Sequence, residues 1–121
     1  MEDHICTIGV PFNEKGVQLV EGTYEVYTDD LENNLTWFDF PYAELYAIYD
    51  GLIGAYCDRF DLFIDFHEEG EIKAEDVPEA LRMAQEFLTK TTEPDKKATT
   101  EKVIEILSLA QSRNMPVGFY L

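Results

Sequence analysis

Basic residues are scarce in this chain. Nine Lys and Arg residues stand against 25 Asp and Glu residues among 121, which gives a formal net charge of −16. A negative charge of this density opposes contact with the phosphate backbone of nucleic acids or with an anionic lipid surface. We therefore expect neither a direct nucleic-acid partner nor a membrane partner.

Long apolar runs are also missing. No stretch approaches the roughly 20 apolar residues that span a bilayer. The chain begins with Met1-Glu2-Asp3-His4, which is acidic where a secretory signal would be basic and then apolar. The sequence therefore predicts a cytoplasmic protein.

Motifs for catalysis and for cofactor or metal binding are absent. There is no P-loop, GxGxxG, GxSxG or CxxC pattern. We expect Cys6 and Cys57 to be reduced thiols packed as small apolar side chains, with a disulfide or a reactive thiol as the alternatives. The densest group of possible metal ligands lies between residues 58 and 69, and Asp61, Asp65 and His67 would share one face of a predicted strand there. The group lacks the spacing of an EF-hand or HExxH motif, which favours a solvated polar face. Its members are Asp58, Asp61, Asp65, His67, Glu68 and Glu69. We predict a protein that is not an enzyme and holds neither a cofactor nor a metal.

The composition nevertheless supports a folded core. Hydrophobic residues make up 45% of the chain and aromatic residues 13%. The length fits one domain, so we predict that residues 1–121 form a single compact α+β domain. Its pattern predicts an antiparallel sheet of about four to six strands with three helices packed on it, in the order βββ-α-ββ-α-α-β.

The strands are predicted from short apolar or alternating runs bounded by turn residues. They are expected at residues 5–12, 17–20, 23–28, 59–67, 71–73 and 117–121, and residues 35–40 fit either a strand or a loop. Turns are expected at 13–16 and 68–70, and polar loops at 29–34 and 91–98.

The first helix is predicted from Pro41 to about Cys57, because proline suits the first turn of a helix. Gly51 and Gly54 weaken it, which indicates a kink near Gly51 or close approach by another backbone. One side of this helix carries most of the large apolar side chains, and that arrangement is typical of core packing. The side chains in question are Tyr42, Leu45, Tyr46, Ile48, Tyr49, Leu52, Ile53 and Tyr56.

Two further helices are predicted from their ends. Asp76 and Glu79 match the two halves of a capping box at the start of the second helix. Thr99 or Thr100 is expected to cap the third helix, which ends before Pro116.

Acidic charge and aromatic rings share one part of the sequence. Residues 1–70 hold 16 acidic and two basic residues, whereas residues 71–121 hold nine and seven. Six of the seven tyrosines lie between Tyr24 and Tyr56, together with Trp37. Rings with few rotatable bonds are enriched at binding hot spots, and carboxylates around them steer a basic partner. Acidity that serves only solubility is the competing interpretation.

The leading functional hypothesis is protein–protein interaction by a non-catalytic acidic protein that binds and neutralises a basic partner protein. The partner would be a cationic toxin, in which case this chain is an immunity-type inhibitor, or a nucleic-acid-binding protein, in which case it mimics nucleic-acid charge. Carboxylates would pair with Lys and Arg of the partner, while Trp37 and Tyr42 would fill pockets on it. The predicted partner-binding residues are Asp29, Asp30, Glu32, Trp37, Asp39, Tyr42, Glu44 and Asp50.

Two other classes of protein remain open at this stage. One is a small-ligand binding domain or accessory enzyme subunit, with an apolar pocket lined by Trp37, Tyr46 and Tyr49 and with Glu44 or Asp50 orienting a cationic ligand. The other is a structural or oligomeric module whose acidity only keeps it in solution.

Overall fold

Four antiparallel strands form the sheet in the computed structural model, which describes residues 5–21, 33–62, 64 and 69–121. The order across the sheet is β2-β1-β4-β3. The C-terminal segment therefore lies inside the sheet, as predicted, and residues 35–40 are a strand. The strand predicted at 23–28 lies outside the described residues. The bounds are Ile5–Pro11 for β1, Leu35–Pro41 for β2, Glu69–Ile72 for β3 and Val117–Tyr120 for β4.

Five α-helices occur among the described residues, where three were predicted. One predicted helix is divided by a π-helical turn at Tyr49–Ile53, and one helix is additional. A 3₁₀ turn at Ala74–Asp76 precedes the fourth helix. The fold is thus mixed α/β around an antiparallel sheet, as predicted, with a finer helical division. The helices are α1 Glu14–Val20, α2 Tyr42–Ala47, α3 Gly54–Phe60, α4 Val77–Lys90 and α5 Pro94–Arg113.

The two faces of the sheet are covered differently. Ile8 of β1 and Phe119 of β4 are paired in register, and both are buried against helices α2 to α5 in the main core. We call this the inner face. On the opposite, outer face, α1 packs its Leu19 and Val20 against Leu35 of β2 in a second, smaller cluster. The helices therefore lie on both sides of the sheet.

Helix α1 replaces the turn and extended segment predicted over residues 13–20. Asn13 is its N-cap, and the Asn13 side-chain oxygen accepts a hydrogen bond from the Gly16 N–H at 2.8 Å. Leu19 and Val20 are buried on one side of the helix. A segment of four residues with three apolar side chains is too short to separate a strand from a helix by periodicity, and the Asn cap favours the helix. The prediction was wrong here.

The helix predicted from Pro41 onward is present but interrupted, as its glycines indicated. Within the π turn, the N–H groups of Leu52 and Ile53 both donate to the Ile48 carbonyl oxygen, at 2.9 and 3.4 Å. Helical structure resumes at Gly54 and continues to Phe60.

The strand predicted over residues 59–67 begins instead as the last turn of α3. Arg59 and Phe60 are helical, and Asp61 closes the helix in the left-handed conformation, with φ of 55°. Ile64 is buried as its place in the alternation predicted, although it is not in a strand. Most of the remaining segment lies outside the described residues. The burial of Ile64 was predicted correctly. The strand at Arg59 and Phe60 was not, because alternation of apolar and polar residues does not exclude the end of a helix there.

Strand β3 also begins earlier than expected. Glu69 and Gly70 pair with β4, whereas residues 68–70 were predicted as a turn. The strand predicted at 71–73 is therefore present, but it begins two residues earlier, at Glu69.

Helix α4 begins where predicted, but without the capping box. Asp76 ends the 3₁₀ turn with a helical backbone conformation and makes no side-chain cap hydrogen bond. Glu79 pairs with Arg82 at 2.8 Å and does not reach back to the N-cap. The preceding turn holds Asp76 in a conformation that a capping side chain does not adopt.

Helix α5 begins at Pro94, inside the predicted loop over residues 91–98. Thr99 and Thr100 are buried in the helix rather than capping it, and the Thr100 hydroxyl donates to the Lys96 carbonyl oxygen at 2.6 Å. The other end is as predicted, since Asn114 is left-handed, with φ of 56°, and ends the helix. Within the described ranges, no helix combines the length and apolar character needed to cross a bilayer.

Candidate interaction surface

Trp37 lies on the outer face of β2 and is half-buried. Its ring covers Gly9 of β1, where a Cβ atom would lie 3.2 Å from Trp37 Cζ3. It also makes an edge contact with Tyr120, with ring centroids 5.5 Å apart and planes at 61°. The Trp37 indole N–H is buried, and no hydrogen-bond partner for it occurs among the described residues. Trp37 is therefore chiefly a packing residue of the outer face.

Asp39 shares that outer face and is exposed. One of its carboxylate oxygens accepts a hydrogen bond from the Thr7 hydroxyl at 3.1 Å, across the β1–β2 pair. This neutral contact orients the side chain but leaves its charge uncompensated.

The tyrosines of the first helical region divide into buried and exposed rings. Tyr56 is fully buried, and its hydroxyl donates to the Ala80 carbonyl oxygen at 2.8 Å. Burial raises the pKa of the Tyr56 phenol well above its usual range. Tyr42 is half-buried and stacks on Tyr46, with centroids 5.5 Å apart, and Tyr46 is 59% exposed. Most of the side chains on the predicted apolar side of the first helix are thus in the core, whereas the Tyr46 ring is exposed to solvent.

Glu44 is engaged within the molecule. Its carboxylate lies 3.4 Å from the Lys102 ammonium of α5, and both side chains are partly exposed. The same ammonium lies 5.6 Å from the centre of the Phe40 ring. Pairs of this exposure contribute less than about 1 kcal/mol, so Lys102 offsets the charge of Glu44 without holding it firmly.

Asp50 lies in the π turn, where it is exposed. The turn is held on one side by Gly51, where a Cβ atom would come within 2.5 Å of Phe87 Cε1 of α4. On the other side, the Tyr49 hydroxyl donates to the Ile64 carbonyl oxygen at 2.5 Å. Asp50 is therefore carried by a backbone segment that is fixed from two directions.

Exposed acidic and aromatic side chains occur in α2, in the π turn and at the end of α3. We call four of them the acidic strip: Tyr46, Asp50, Asp58 and Asp61. Among the described residues, none of its three carboxylates has a Lys or Arg nitrogen within 4 Å. At about 1.5 Å per helical residue, the strip extends over roughly 20 Å.

The exposed surface of α4 is different. Glu79, Arg82, Glu86 and Lys90 form consecutive ion pairs at 2.8 to 2.9 Å, which we call the α4 ladder. Hydrogen bonding to Arg82 lowers the pKa of Glu79, and hydrogen bonding to Lys90 and Arg82 lowers the pKa of Glu86. Arg59 adds a 3.5 Å contact to Glu79. The ladder thus neutralises its own carboxylates.

The structure separates the predicted partner-binding residues into groups. Trp37 and Asp39 share the outer face, Glu44 faces α5, and Asp50 belongs to the acidic strip. Three of them, Asp29, Asp30 and Glu32, lie outside the described residues. The partner-binding residues predicted from the sequence do not include Tyr46, Asp58 or Asp61, although Asp61 is exposed as the predicted solvated polar face requires.

The two cysteines are free thiols. Cys6 is buried in the main core, and burial raises the pKa of its thiol. Cys57 is half-buried, and its sulfur accepts a hydrogen bond from the Ile64 N–H at 3.4 Å. Both pack as the sequence predicted.

A metal site was not expected at Asp61, Asp65 and His67, and the last two lie outside the described residues. Within the described part of the chain, no group of three or more His, Cys, Asp or Glu side chains could hold an ion.

Surface cavities lined by described residues include three on different sides of the helices. One of about 610 Å³ lies between the end of α1 and strand β3. One of about 370 Å³ separates the π turn from α4, and one of about 430 Å³ separates α2 from α5. None of the three is lined by Trp37, Tyr46 or Tyr49, the rings on which a ligand pocket was hypothesised.

Comparison with known proteins gives no relative. No family model matches this chain, and neither the curated proteins nor the solved structures contain a match.

Proposed function

We propose that this chain is a non-catalytic cytoplasmic protein that binds and neutralises a basic partner protein through the acidic strip. The observation that carries the proposal is a set of exposed carboxylates that, within the described part of the chain, lie more than 4 Å from any Lys or Arg nitrogen, together with an exposed tyrosine. Two free cysteines fit a reducing compartment.

The electrostatics of the strip support this role. Asp50, Asp58 and Asp61 repel one another in the free protein, and a cationic surface would relieve that repulsion. Uncompensated charge on one partner accelerates encounter with an oppositely charged one, from about 10⁵–10⁶ to 10⁸–10⁹ M⁻¹s⁻¹ at low salt.

The shape of the strip supports it as well. Tyr46 is stacked on Tyr42, which restricts the exposed ring before binding and lowers the entropy that binding must remove. A length of roughly 20 Å fits a standard interface of about 800 Å² per partner. Asp29, Asp30 and Glu32 stay predictions for the same interface.

The test is a comparison of two triple variants with the same net charge. One neutralises the strip, with Asp50→Asn, Asp58→Asn and Asp61→Asn. The other neutralises three exposed carboxylates on the 3₁₀ turn and α5 that make no ion pair with any residue the structure describes, with Glu75→Gln, Glu101→Gln and Glu105→Gln.

Tagged forms of the wild type and both variants are used for capture from a lysate of the source cells at low ionic strength, and bound proteins are identified by mass spectrometry. We expect one basic protein to be retained by the wild type and the Gln variant and lost with the Asn variant. Equal retention by both variants, or an acidic companion, would overturn the proposal.

A further inference from the structure

Glu71 is a half-buried carboxyl on the outer face of the sheet. Its neighbour Ile72 points to the inner face and is fully buried, so Glu71 points outward beside its β4 partner Gly118. One oxygen of the Glu71 carboxylate is inaccessible to solvent and has no hydrogen-bond partner among the described residues. A carboxylate without a donor is costly to ionise.

Helix α1 covers this position. A Cβ atom on Gly118 would lie 3.1 Å from Cγ2 of Val20, so the last turn of α1 rests on the strand that pairs with Glu71. Glu21, which follows the last residue of α1, lines the same cavity of about 610 Å³ as Glu71. The ionisation of Glu71 can therefore affect how the last turn of α1 packs on the sheet.

The charged groups around Glu71 favour its neutral form. Burial and the nearby carboxylate of Glu21 raise the pKa of Glu71, and the Lys73 ammonium only partly opposes them. Glu75 also lines the cavity, from the 3₁₀ turn, and the segment after α5 contributes Asn114, which carries no charge.

We propose that Glu71 is a pH-sensitive latch for helix α1. When Glu71 is neutral, the last turn of α1 packs against the sheet without an unpaired charge beneath it. When Glu71 ionises, repulsion from Glu21 and the need to hydrate the carboxylate loosen that turn. The inference does not depend on the proposed function, because the latch lies on the outer face and the strip on the opposite, helical side.

The sign of the effect follows from linkage. A carboxyl whose pKa is higher in the folded than in the unfolded state stabilises the fold below the unfolded value, about 4.3 for Glu. That contribution is lost as the pH rises through the folded value. Loosening of α1 is therefore expected on the alkaline side.

The chain contains its own reporter of this event. Trp37 is its one tryptophan, and it packs against the cluster that Leu19 and Val20 of α1 form with Leu35. Loosening of α1 hydrates the indole and shifts its fluorescence emission to longer wavelength.

The experiment follows Trp37 emission, and the unfolding constant in urea, from pH 4 to pH 8. It uses the wild type, Glu71→Gln, and Glu75→Gln as the matched control in the same cavity. We expect a red shift in the wild type with a midpoint above 4.3. Glu71→Gln should keep the acid-side emission throughout and have a lower unfolding constant than wild type at pH 8 but not at pH 4. Glu75→Gln should behave as the wild type.

A flat wild-type titration would overturn the latch, and so would a midpoint unchanged in Glu71→Gln. The second result would assign the transition to other groups, such as His4 or His67. Amide hydrogen exchange in α1 gives a second readout, and protection there that does not depend on pH in the wild type would likewise contradict the proposal.

Discussion

The acidic strip and the α4 ladder are both exposed rows of charge on helices, yet they have opposite electrostatics. Each carboxylate of the ladder lies within 3 Å of an Arg or Lys nitrogen. The carboxylates of the strip have no such neighbour among the described residues. The carboxylates of the α4 ladder are paired with basic side chains in the free protein, whereas those of the acidic strip are left for a partner to pair. The position of the nine basic residues therefore says more about function than the net charge does.

The largest expected effect comes from breaking the junction between the two regions. Gly51 of the π turn faces the Phe87 ring of α4 with no room for a side chain. Gly51→Val should destabilise the protein by about 1–3 kcal/mol, since overpacking forces the ring or the backbone to move.

Gly54→Ala is the matched control, because a Cβ atom there would meet only the Tyr49 carbonyl oxygen, at 3.4 Å. Its stability should equal or slightly exceed that of the wild type. Urea unfolding measures both variants, and an equal loss in both would show that the π turn is not fixed by Phe87.

Neutralising charges in the two regions should shift stability in opposite directions. The Asp50→Asn, Asp58→Asn and Asp61→Asn variant should melt at a higher temperature than the wild type, because repulsion is removed. A Glu79→Gln and Glu86→Gln variant should melt lower, because ion pairs are lost. Thermal unfolding at low salt measures both shifts, and added salt should shrink them. Shifts of the same sign would contradict the distinction between the regions.

The contact between Glu44 and Lys102 offers a smaller test. It joins the strip's helical region to α5, and both groups are partly exposed. Lys102→Met keeps the apolar stem over Phe40 and removes the charge, so the loss should stay below about 1 kcal/mol. A larger loss in urea unfolding would mean that this pair supports the fold more than its exposure allows.

The smallest effect is expected from the ladder's dependence on pH. Because the pKa values of Glu79 and Glu86 are lowered, their pairs stabilise the fold above the unfolded Glu value and are lost as the pH falls through the folded values. Arg82→Gln should therefore flatten the loss of stability below about pH 4.3. Unfolding curves at several acid pH values check this, and superimposable pH profiles for variant and wild type would refute it.

Local patterns predicted the sheet better than the helix ends. The apolar run at the C-terminus and the glycines at 51 and 54 were informative because each changes the backbone or its burial directly. Thr99 and Thr100 resembled caps, but tertiary packing buries them inside α5. Asn13 is a true cap, yet the short run after it fits a strand equally well. Such choices depend on contacts with distant elements, which a local window does not contain.

The surface was harder to predict than the core. The sequence indicated that the first half of the chain is acidic and aromatic, but not which groups are already used. Glu44 is paired with Lys102, 58 residues away, and Trp37 covers a glycine of the neighbouring strand. Tyr46 stacks on Tyr42 but keeps most of its ring exposed, and Asp58 is exposed as well.

The most direct test of the account is the association rate constant with the captured basic partner, measured by stopped flow over a range of ionic strength. The account predicts a steep decrease with salt for the wild type and for the Glu75→Gln, Glu101→Gln and Glu105→Gln variant. It predicts a slower and flatter profile for the Asp50→Asn, Asp58→Asn and Asp61→Asn variant. Identical profiles for the two variants would show that only total charge matters and would contradict a role for the acidic strip.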